Sequence, residues 1–414
     1  MKKTSLIAIA AAAALVPSMA GAADLGGNCC ADLEERIAEL EATTARKGNR
    51  KVKLTVSGWV NEAVMFWDDG VETNTYQVTN LVAQTRFRFV GDAKINDRWS
   101  AGYLMEIGVF GSNSSNVDAG ADDSGSGLNV RHSAWWIQNK DLGKVWVGQT
   151  SSATDGITEI NLANALHFAT QNASAQNGRF VVQGSGGIRL REFMGGAPGA
   201  NGANTAAQIG EGERLNVVKY ESPTIQGFTV SAAWGEDDMW DVALRYANEF
   251  NGVKVAFGIG YMSWKDGNND EYNCFTGAVS DRDCQQLGLS GAVMHVPTGL
   301  YVHGAYGIRW DDNVPAGFDD SSTQLYIQAG IERKFFPLGK TTVFGEYQDW
   351  DIGLPNSLAF LGADMTMWGI GINQNIEAAA MDLYLRYNSF SPDVDGIVGE
   401  EDFRVLMAGG IIRF

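Results

Sequence analysis

The sequence predicts an all-β fold: a 16-stranded antiparallel transmembrane β-barrel with a short N-terminal periplasmic helix. The prediction rests on a secretory signal at the amino end and on apolar residues that alternate with polar ones in many segments. Residues 381–388, M-D-L-Y-L-R-Y-N, place an apolar row on one face and a row containing Asp382 and Arg386 on the other. Because an unpaired ion in hydrocarbon is costly, the polar row must face an aqueous lumen and the apolar row must face lipid.

Residues 1–22 have the features of a cleaved signal peptide. Two lysines precede an apolar run that ends at Val16, and the small residues Ala20 and Ala22 predict cleavage after Ala22. The run is too short to cross a bilayer as a helix, and no later stretch approaches the ~18 apolar residues that a membrane helix needs. We therefore expect an exported protein that is not a helical membrane protein.

The chain is strongly acidic. Removing the signal peptide takes two of the 31 basic residues and none of the 49 acidic ones, which leaves a net charge of −20. This charge argues against nucleic acid as a partner. Many of the acids lie in hydrophilic connections such as Asp122-Asp123 and Glu400-Glu401, so most of the charge is expected in solvated loops.

The four cysteines fall into two pairs. In an oxidising compartment we expect Cys274 and Cys284 to form a disulfide that closes a loop. The adjacent Cys29 and Cys30 are a different case, because neighbouring cysteines rarely bridge each other without strain. A bridge between subunits and a pair of free thiols both remain open for them.

Residues 23–51 are predicted to be a periplasmic segment with one short helix. Leu33, Ile37 and Leu40 recur at helical spacing within residues 31–47, with acids at the start of that stretch and bases at its end. A helix of about two heptads is marginal alone. Two arrangements stay open: a short coiled coil held together by three adjacent barrels, or a single helix packed on the barrel rim.

Residues 52–414 are predicted to form the barrel. Sixteen strands are expected, joined alternately by short turns and by longer acidic loops, as in bacterial outer-membrane barrels. The predicted strands are residues 52–67, 79–93, 98–110, 128–140, 143–150, 213–222, 226–235, 239–250, 253–265, 285–296, 299–311, 321–336, 340–351, 363–376, 378–391 and 402–414.

One connection, residues 151–212, is much longer than the others. A loop of this length in a compact domain usually has a function. It contains the acids Asp155 and Glu159, a candidate short helix from Glu159 to Phe168 and a glycine-rich tract at residues 184–202. The loop is therefore the first place to look for a functional element.

Four motifs carry a family resemblance. They are V-S-G-W at residues 56–59, T-R-F-R-F-V-G-D at 85–92, R-H-S-A-W at 131–135 and I-R-F at 412–414. In their order and spacing they resemble the trimeric general-diffusion porins of Gram-negative outer membranes, most closely those of alphaproteobacteria. The motifs cover both ends of the predicted barrel and its first third.

The resemblance implies a pore constriction, in which the long loop folds into the lumen and opposes carboxylates to a ladder of arginines. Arg86 and Arg131 match ladder positions, and Arg88 shares the inward row with Arg86. Gln149 stands where another arginine is usual, and Trp59 where a lysine is common. The constriction is therefore expected to be less basic than in the family.

Asp155 and Glu159 are the candidates for the acidic side of that constriction. Alternatively, the arginines only pair with carboxylates along the barrel wall. Opposed charges across a narrow aqueous gap orient solute dipoles and bias the choice of ion.

The resemblance further implies a homotrimer in the outer membrane of a Gram-negative bacterium, with outer-membrane lipids around it and its N-terminal segment in the periplasm. The expected function is passive diffusion of small hydrophilic solutes and ions, with a mild cation preference from the net acidity. A substrate-specific uptake channel is the alternative. A tether to peptidoglycan is another, because the predicted mature start, Ala23-Asp24, resembles the amino ends of alphaproteobacterial barrels joined to the cell wall.

No enzymatic site is predicted. His132 and Ser133 are neighbours in a strand, so their side chains point to opposite faces and cannot act as base and nucleophile. No histidine and cysteine cluster has the spacing of metal ligands. We therefore expect neither a metal nor another cofactor.

Overall fold

A computed structural model describes residues 51–165, 167–169, 173–195, 208–235, 238–265, 283–312, 319–353 and 362–414. The predicted signal peptide, most of the predicted periplasmic segment with Leu33, Ile37 and Leu40, and Cys274 lie outside the described residues. Among the described residues, no helix is long and apolar enough to cross a membrane. Strands make up most of the regular structure in the described part of the chain.

Seventeen strands are described, with two short helices in the long loop. The strands are β1 (Lys53–Asp68), β2 (Thr73–Thr79), β3 (Arg86–Lys94), β4 (Trp99–Phe110), β5 (Gly127–Asn139), β6 (Gly143–Ser151), β7 (Arg214–Glu221), β8 (Phe228–Gly235), β9 (Trp240–Phe250), β10 (Val253–Trp264), β11 (Cys284–His295), β12 (Leu300–Asp311), β13 (Ser321–Phe336), β14 (Gly339–Ile352), β15 (Ala363–Ile376), β16 (Met381–Val394) and β17 (Phe403–Arg413). The helices are α1 (Ser174–Asn177) and α2 (Leu190–Phe193), and single 3-10 turns occupy Leu81–Ala83 and Glu377–Ala379.

The strands close into an antiparallel barrel. Each of β3 to β16 pairs with the next strand, and β17 pairs with β1 from Trp59↔Arg413 to Asp68↔Arg404. β2 and β3 share one position, because β2 pairs with one half of β1 and β3 pairs with the other half. The prediction of a 16-stranded transmembrane barrel is confirmed.

The second predicted strand, residues 79–93, is the one whose boundaries differ most. The chain leaves the sheet between β2 and β3, where Asn80 accepts a hydrogen bond from the amide of Val82 and begins a 3-10 turn. Asn61 on β1 donates its side-chain amide to the carbonyl of Ala83 at 2.9 Å. A side chain of the neighbouring strand thus stabilises the break between β2 and β3. The alternation of residues in the sequence does not predict this break.

The alternation within strands is confirmed. On β16, Leu383 and Leu385 are 44% and 43% exposed, whereas Asp382 and Arg386 are 1% exposed. The apolar row therefore covers the outside of the barrel and the polar row lies inside, as hydrocarbon outside and water inside require.

The inner row is not polar throughout, which corrects the sequence-based picture. At the end of the barrel that carries the long loops, inward Trp67 and Phe403 pack against Phe180 of the loop, with ring centroids 4.9 and 4.7 Å apart. Phe168 of the loop stacks on inward Tyr384 at 5.1 Å. The loop and the wall thus form an apolar core inside the barrel, which offsets the entropy lost when a long loop is ordered.

Cys284 is fully buried and forms a disulfide. Its predicted partner, Cys274, lies outside the described residues. The candidate helix from Glu159 to Phe168 is wrong as an element, because its described residues form bends and turns. The helical turns of the loop come later, in α1 and α2.

Candidate functional site

The long loop first attaches to the inner wall at β9. Thr154 donates from its backbone amide and its hydroxyl to the buried carboxylate of Asp241, at 2.7 and 2.8 Å. Arg245, two positions further along the same inward row of β9, donates to the carbonyls of Ala153 and Asp155 at 2.7 and 2.9 Å. Four charge-assisted hydrogen bonds thus fix the start of the loop against one side of the barrel.

The loop then follows the inner wall towards β16. Asn161 donates to Gln328 on β13 at 2.9 Å, and Asn164 donates to Asp382 on β16 at 2.9 Å. Further on, Arg386 donates to the carbonyl of Phe168 at 3.1 Å. Several inward polar side chains of the second half of the barrel therefore form hydrogen bonds with the loop.

A basic wall is formed by three inward arginines around one buried carboxylate. Arg86 Nη1 lies 3.0 Å from Glu106 Oε1 and Arg131 Nε lies 2.8 Å from the same oxygen. Arg88 Nε donates to the second oxygen at 2.7 Å. Glu106 is fully buried, so its charge is compensated locally, and two positive charges of the group remain in excess.

A β-bulge aims Arg131 at this carboxylate. The pairing of β4 and β5 shifts between Glu106↔His132 and Ile107↔Val130, which leaves Arg131 without a cross-strand partner. The extra residue lets Arg131 and His132, neighbours in sequence, both reach the inner side. His132 contacts the hydroxyl of Thr150 at 3.1 Å.

Trp59 completes the basic wall. The guanidinium carbon of Arg86 lies 4.4 Å from the centre of the Trp59 ring, and the indole nitrogen donates to the carbonyl of Ala83 at 3.1 Å. His167 of the long loop packs against Trp59, with the two ring centroids 5.6 Å apart. Trp59 therefore joins the basic wall to the loop through an aromatic face.

The acidic side of the site is on the loop. Asp155 lies 3.7 Å from Arg214, the first residue of β7. Glu211, near the end of the loop, accepts hydrogen bonds from the amides of Ile157 and Thr158 at 2.9 and 2.7 Å. Its carboxylate thus ties the returning chain to the segment that carries Asp155 and Glu159.

These loop acids influence one another. Burial and the negative charge of Asp155 raise the pKa of Glu159 to about 7, although Arg214 acts in the opposite direction. Burial and the charge of Glu159 raise the pKa of Glu211 well above its ordinary value. The charge of the acidic side therefore changes near neutral pH.

The structure brings five of the six predicted residues into this neighbourhood. Gln149 is the exception, and its placement in the constriction is wrong. It pairs with Ser133 and Asn216, which belong to the outward row, and donates to the carbonyl of Val130 at 3.1 Å. The error arose because Gln149 was matched to a motif position of the family. The local strand register, which the motif does not report, decides which face of the strand a side chain occupies.

Sequence reasoning missed Glu106, Glu211 and Arg214. Glu106 could have been identified from the sequence, because it is the one carboxylate in the predicted strand of residues 98–110. Glu211 and Arg214 are close to Asp155 only through the return of a loop, which no local pattern reports. In the described part of the chain, no group of three or more His, Cys, Asp or Glu side chains is placed to hold a metal ion.

Comparisons with known proteins agree with this geometry. The model of the Gram-negative porin family matches residues 8–394. A search of curated proteins by sequence finds no match. Among solved structures, the chain is similar to the anion-selective porin from Comamonas acidovorans, with a TM-score of 0.59, 15% identity and coverage of 88% of this chain and 100% of that one.

Two further structures share the fold. The trimer form of OmpT, an outer membrane protein of Vibrio cholerae, has a TM-score of 0.53, 14% identity and coverage of 88% of this chain and 99% of that one. The outer membrane channel DcaP of Acinetobacter baumannii has a TM-score of 0.53, 12% identity and coverage of 89% and 99%. The chain is thus an outer-membrane protein, and it belongs to the Gram-negative porin family.

Proposed function

We propose that this porin is a passive, water-filled channel for small hydrophilic solutes and ions. The observation that carries the proposal is the basic wall of Arg86, Arg88 and Arg131 opposite the loop that carries Asp155 and Glu159. Charges fixed on both sides of an aqueous gap orient polar solutes and disfavour apolar ones. Transport of this kind makes or breaks no covalent bond.

The preference between cations and anions is proposed to be mild and to depend on pH. Above about pH 7, Glu159 is ionised and offsets the excess of guanidinium charge, so the net acidity of the mature chain favours cations. Below that pH, Glu159 carries a proton because its pKa is raised, and the constriction becomes more positive. Anions then gain relative to cations.

Conductance across planar bilayers tests the channel. Purified protein should produce discrete conductance steps in potassium chloride, and absence of steps from correctly folded protein would contradict the proposal. Liposome swelling with sugars of increasing size separates general diffusion from specific uptake. A rate that falls smoothly with size supports diffusion, whereas saturation by one sugar favours the uptake channel.

The protein is further proposed to be a homotrimer, with its contacts at β1 to β7. The outward row of this part of the wall contains Glu62, which pairs across the sheet with Thr79, and Gln77, which pairs with Val64. Glu62 accepts hydrogen bonds from the hydroxyls of Thr79 and Thr85 at 3.0 and 3.1 Å. Polar groups at these outward positions are unfavourable against lipid, and contact with another subunit would remove them from it.

Semi-native electrophoresis tests the assembly. Unheated protein should migrate as a trimer and heated protein as a monomer. Glu62→Leu should lower the temperature at which the trimer dissociates, because it removes the hydrogen-bonded carboxylate from the contact surface. Leu325→Ala, on the apolar outward row of β13, is the control and should leave that temperature unchanged.

A further inference from the structure

A lysine is held between two indole rings on the inner wall of β5 and β6. Lys144 Nζ lies 4.3 Å from the centre of the Trp136 ring and 3.8 Å from that of Trp146. The two ring centres are 6.2 Å apart. The cation is therefore fixed by two aromatic faces instead of extending freely into solvent.

The register places this group inside the barrel, beyond the basic wall. Trp136 pairs with Trp146 and with Gly102, in the same inward row as Ala134 and His132. A Cβ atom at Gly102 would lie 2.5 Å from the Trp136 ring, so only glycine lets the indole lie flat there. Lys144 is the second residue of β6, next to a short turn, at the end that outer-membrane barrels direct to the periplasm.

Two acids lie near Lys144, and neither is within ion-pair distance of its ammonium group. Glu221, directly across from it on β7, is 3.1 Å from Lys219 Nζ and accepts a hydrogen bond from Trp146 Nε1 at 2.8 Å. Asp92, an exposed inward residue of β3, is a second acid that faces the group. Within the described residues, Lys144 has no ion pair of its own.

We propose that Lys144, Trp136 and Trp146 form a binding station for small organic carboxylates with an apolar body. The ammonium group donates a charge-assisted hydrogen bond to the carboxylate. The indole rings shield it from water on two sides, so an anion with an apolar part loses less hydration there than a compact inorganic anion. The inference rests on the proposed channel function and adds a solute class at its periplasmic end.

Binding of 4-fluorobenzoate, followed by fluorine NMR on the folded protein in detergent, tests the station without requiring transport. Lys144→Met should weaken binding about tenfold, the effect expected for one charge-assisted hydrogen bond. Lys254→Met is the matched control, because Lys254 is likewise the second residue of a strand, β10, next to a short turn and inward by register. It is exposed and should leave binding unchanged.

A second variant separates the position of the charge from the charge itself. Trp136→Leu keeps Lys144 and the bond between Trp146 and Glu221, yet it should weaken binding about threefold, since one cation–π contact is lost. If Lys144→Met and Lys254→Met change binding equally, or if neither changes it, the station does not exist. Heat-modifiable electrophoretic mobility shows whether each variant is folded.

The failure of the station and the failure of the channel are distinguishable. If the protein forms conductance steps but its fluorobenzoate binding is unaffected by Lys144→Met, the station alone is overturned. Binding that depends on Lys144, from a protein that forms no conductance steps, would support the station and contradict the channel.

Discussion

Two sectors of the barrel wall use the same alternation of side chains in opposite ways. In the first sector, β1 to β7, the outward row includes Glu62 and Gln77, and the inward arginines surround Glu106 on the wall. In the second sector, β8 to β17, the middle of the outward row is apolar, as at Ile327, and the inward row is occupied by the long loop. Alternation therefore decides which side a residue faces, and the neighbouring structure decides what it meets there.

The largest expected effect on the free energy of unfolding comes from neutralising the buried carboxylate that binds the arginines in each sector. Glu106→Gln should lower the free energy of unfolding by about 3–5 kcal/mol, because it leaves buried guanidinium groups without their counter-charge. It should also shift the reversal potential in a salt gradient towards anion preference. Bilayer recordings and urea unfolding measure the two effects.

Glu346→Gln is the matched variant in the second sector. Glu346 Oε1 lies 2.7 Å from Arg386 Nε, and both side chains are buried beneath the loop. We expect a comparable loss of stability with little change in the reversal potential. Equal shifts in ion preference from the two variants would contradict the distinction between the sectors.

The outward faces allow a direct comparison of the same substitution. Ile327→Lys, in the second sector, should lower the free energy of unfolding in vesicles by about 2–4 kcal/mol, as expected for lysine against the hydrocarbon core. Gln77→Lys, in the first sector, should cost the isolated barrel much less and should instead promote dissociation of the trimer. Tryptophan fluorescence during urea unfolding and semi-native electrophoresis separate these outcomes, and equal costs would remove the case for a subunit contact at β2.

A smaller effect is expected where the start of the long loop is fixed to β9. Asp241→Asn weakens two hydrogen bonds from Thr154 and should reduce stability by about 1–3 kcal/mol. Because the loop is then held less firmly, single-channel conductance should rise and fluctuate more. Asp393→Asn, on the outward face of β16, is the control, and an identical response from it would contradict the anchoring role of Asp241.

The smallest predicted effect concerns pH. The pKa of Glu159 is raised to about 7, so the folded protein holds this proton more tightly than the unfolded chain. The resulting contribution to stability is full below about pH 4.5 and is lost as pH rises towards 7. Over the same interval the constriction gains negative charge, and the permeability ratio should move towards cations by a factor of about two to five.

Reversal potentials between pH 5 and pH 8.5 measure this change. Glu159→Gln should abolish most of the shift around pH 7. Glu377→Gln is the control, because Glu377 is an exposed residue of a short turn, paired with Lys334 at 3.0 Å. If Glu159→Gln shows a shift as large as that of the unaltered protein, the pH response belongs to other groups, Glu211 first among them.

Much of the fold was predictable because each strand carries its own pattern. β16 and β13 show the period of two that one oily and one aqueous side impose, and their boundaries agree with prediction to within three residues. The constriction was predictable only in part. Arg86 and Arg131 follow from motifs, whereas Gln149 failed because a motif position does not report its register.

The sequence by itself determined that the chain crosses the outer membrane as a barrel and which face of most strands meets lipid. This information is local, since it resides in successive side chains of one strand. The tertiary structure alone decided that Glu106 collects three arginines, that Glu211 lies beside Glu159 and that Trp136 and Trp146 enclose Lys144. These groups meet because barrel closure, a β-bulge and a returning loop bring together residues from different strands, and no single segment of sequence specifies such contacts.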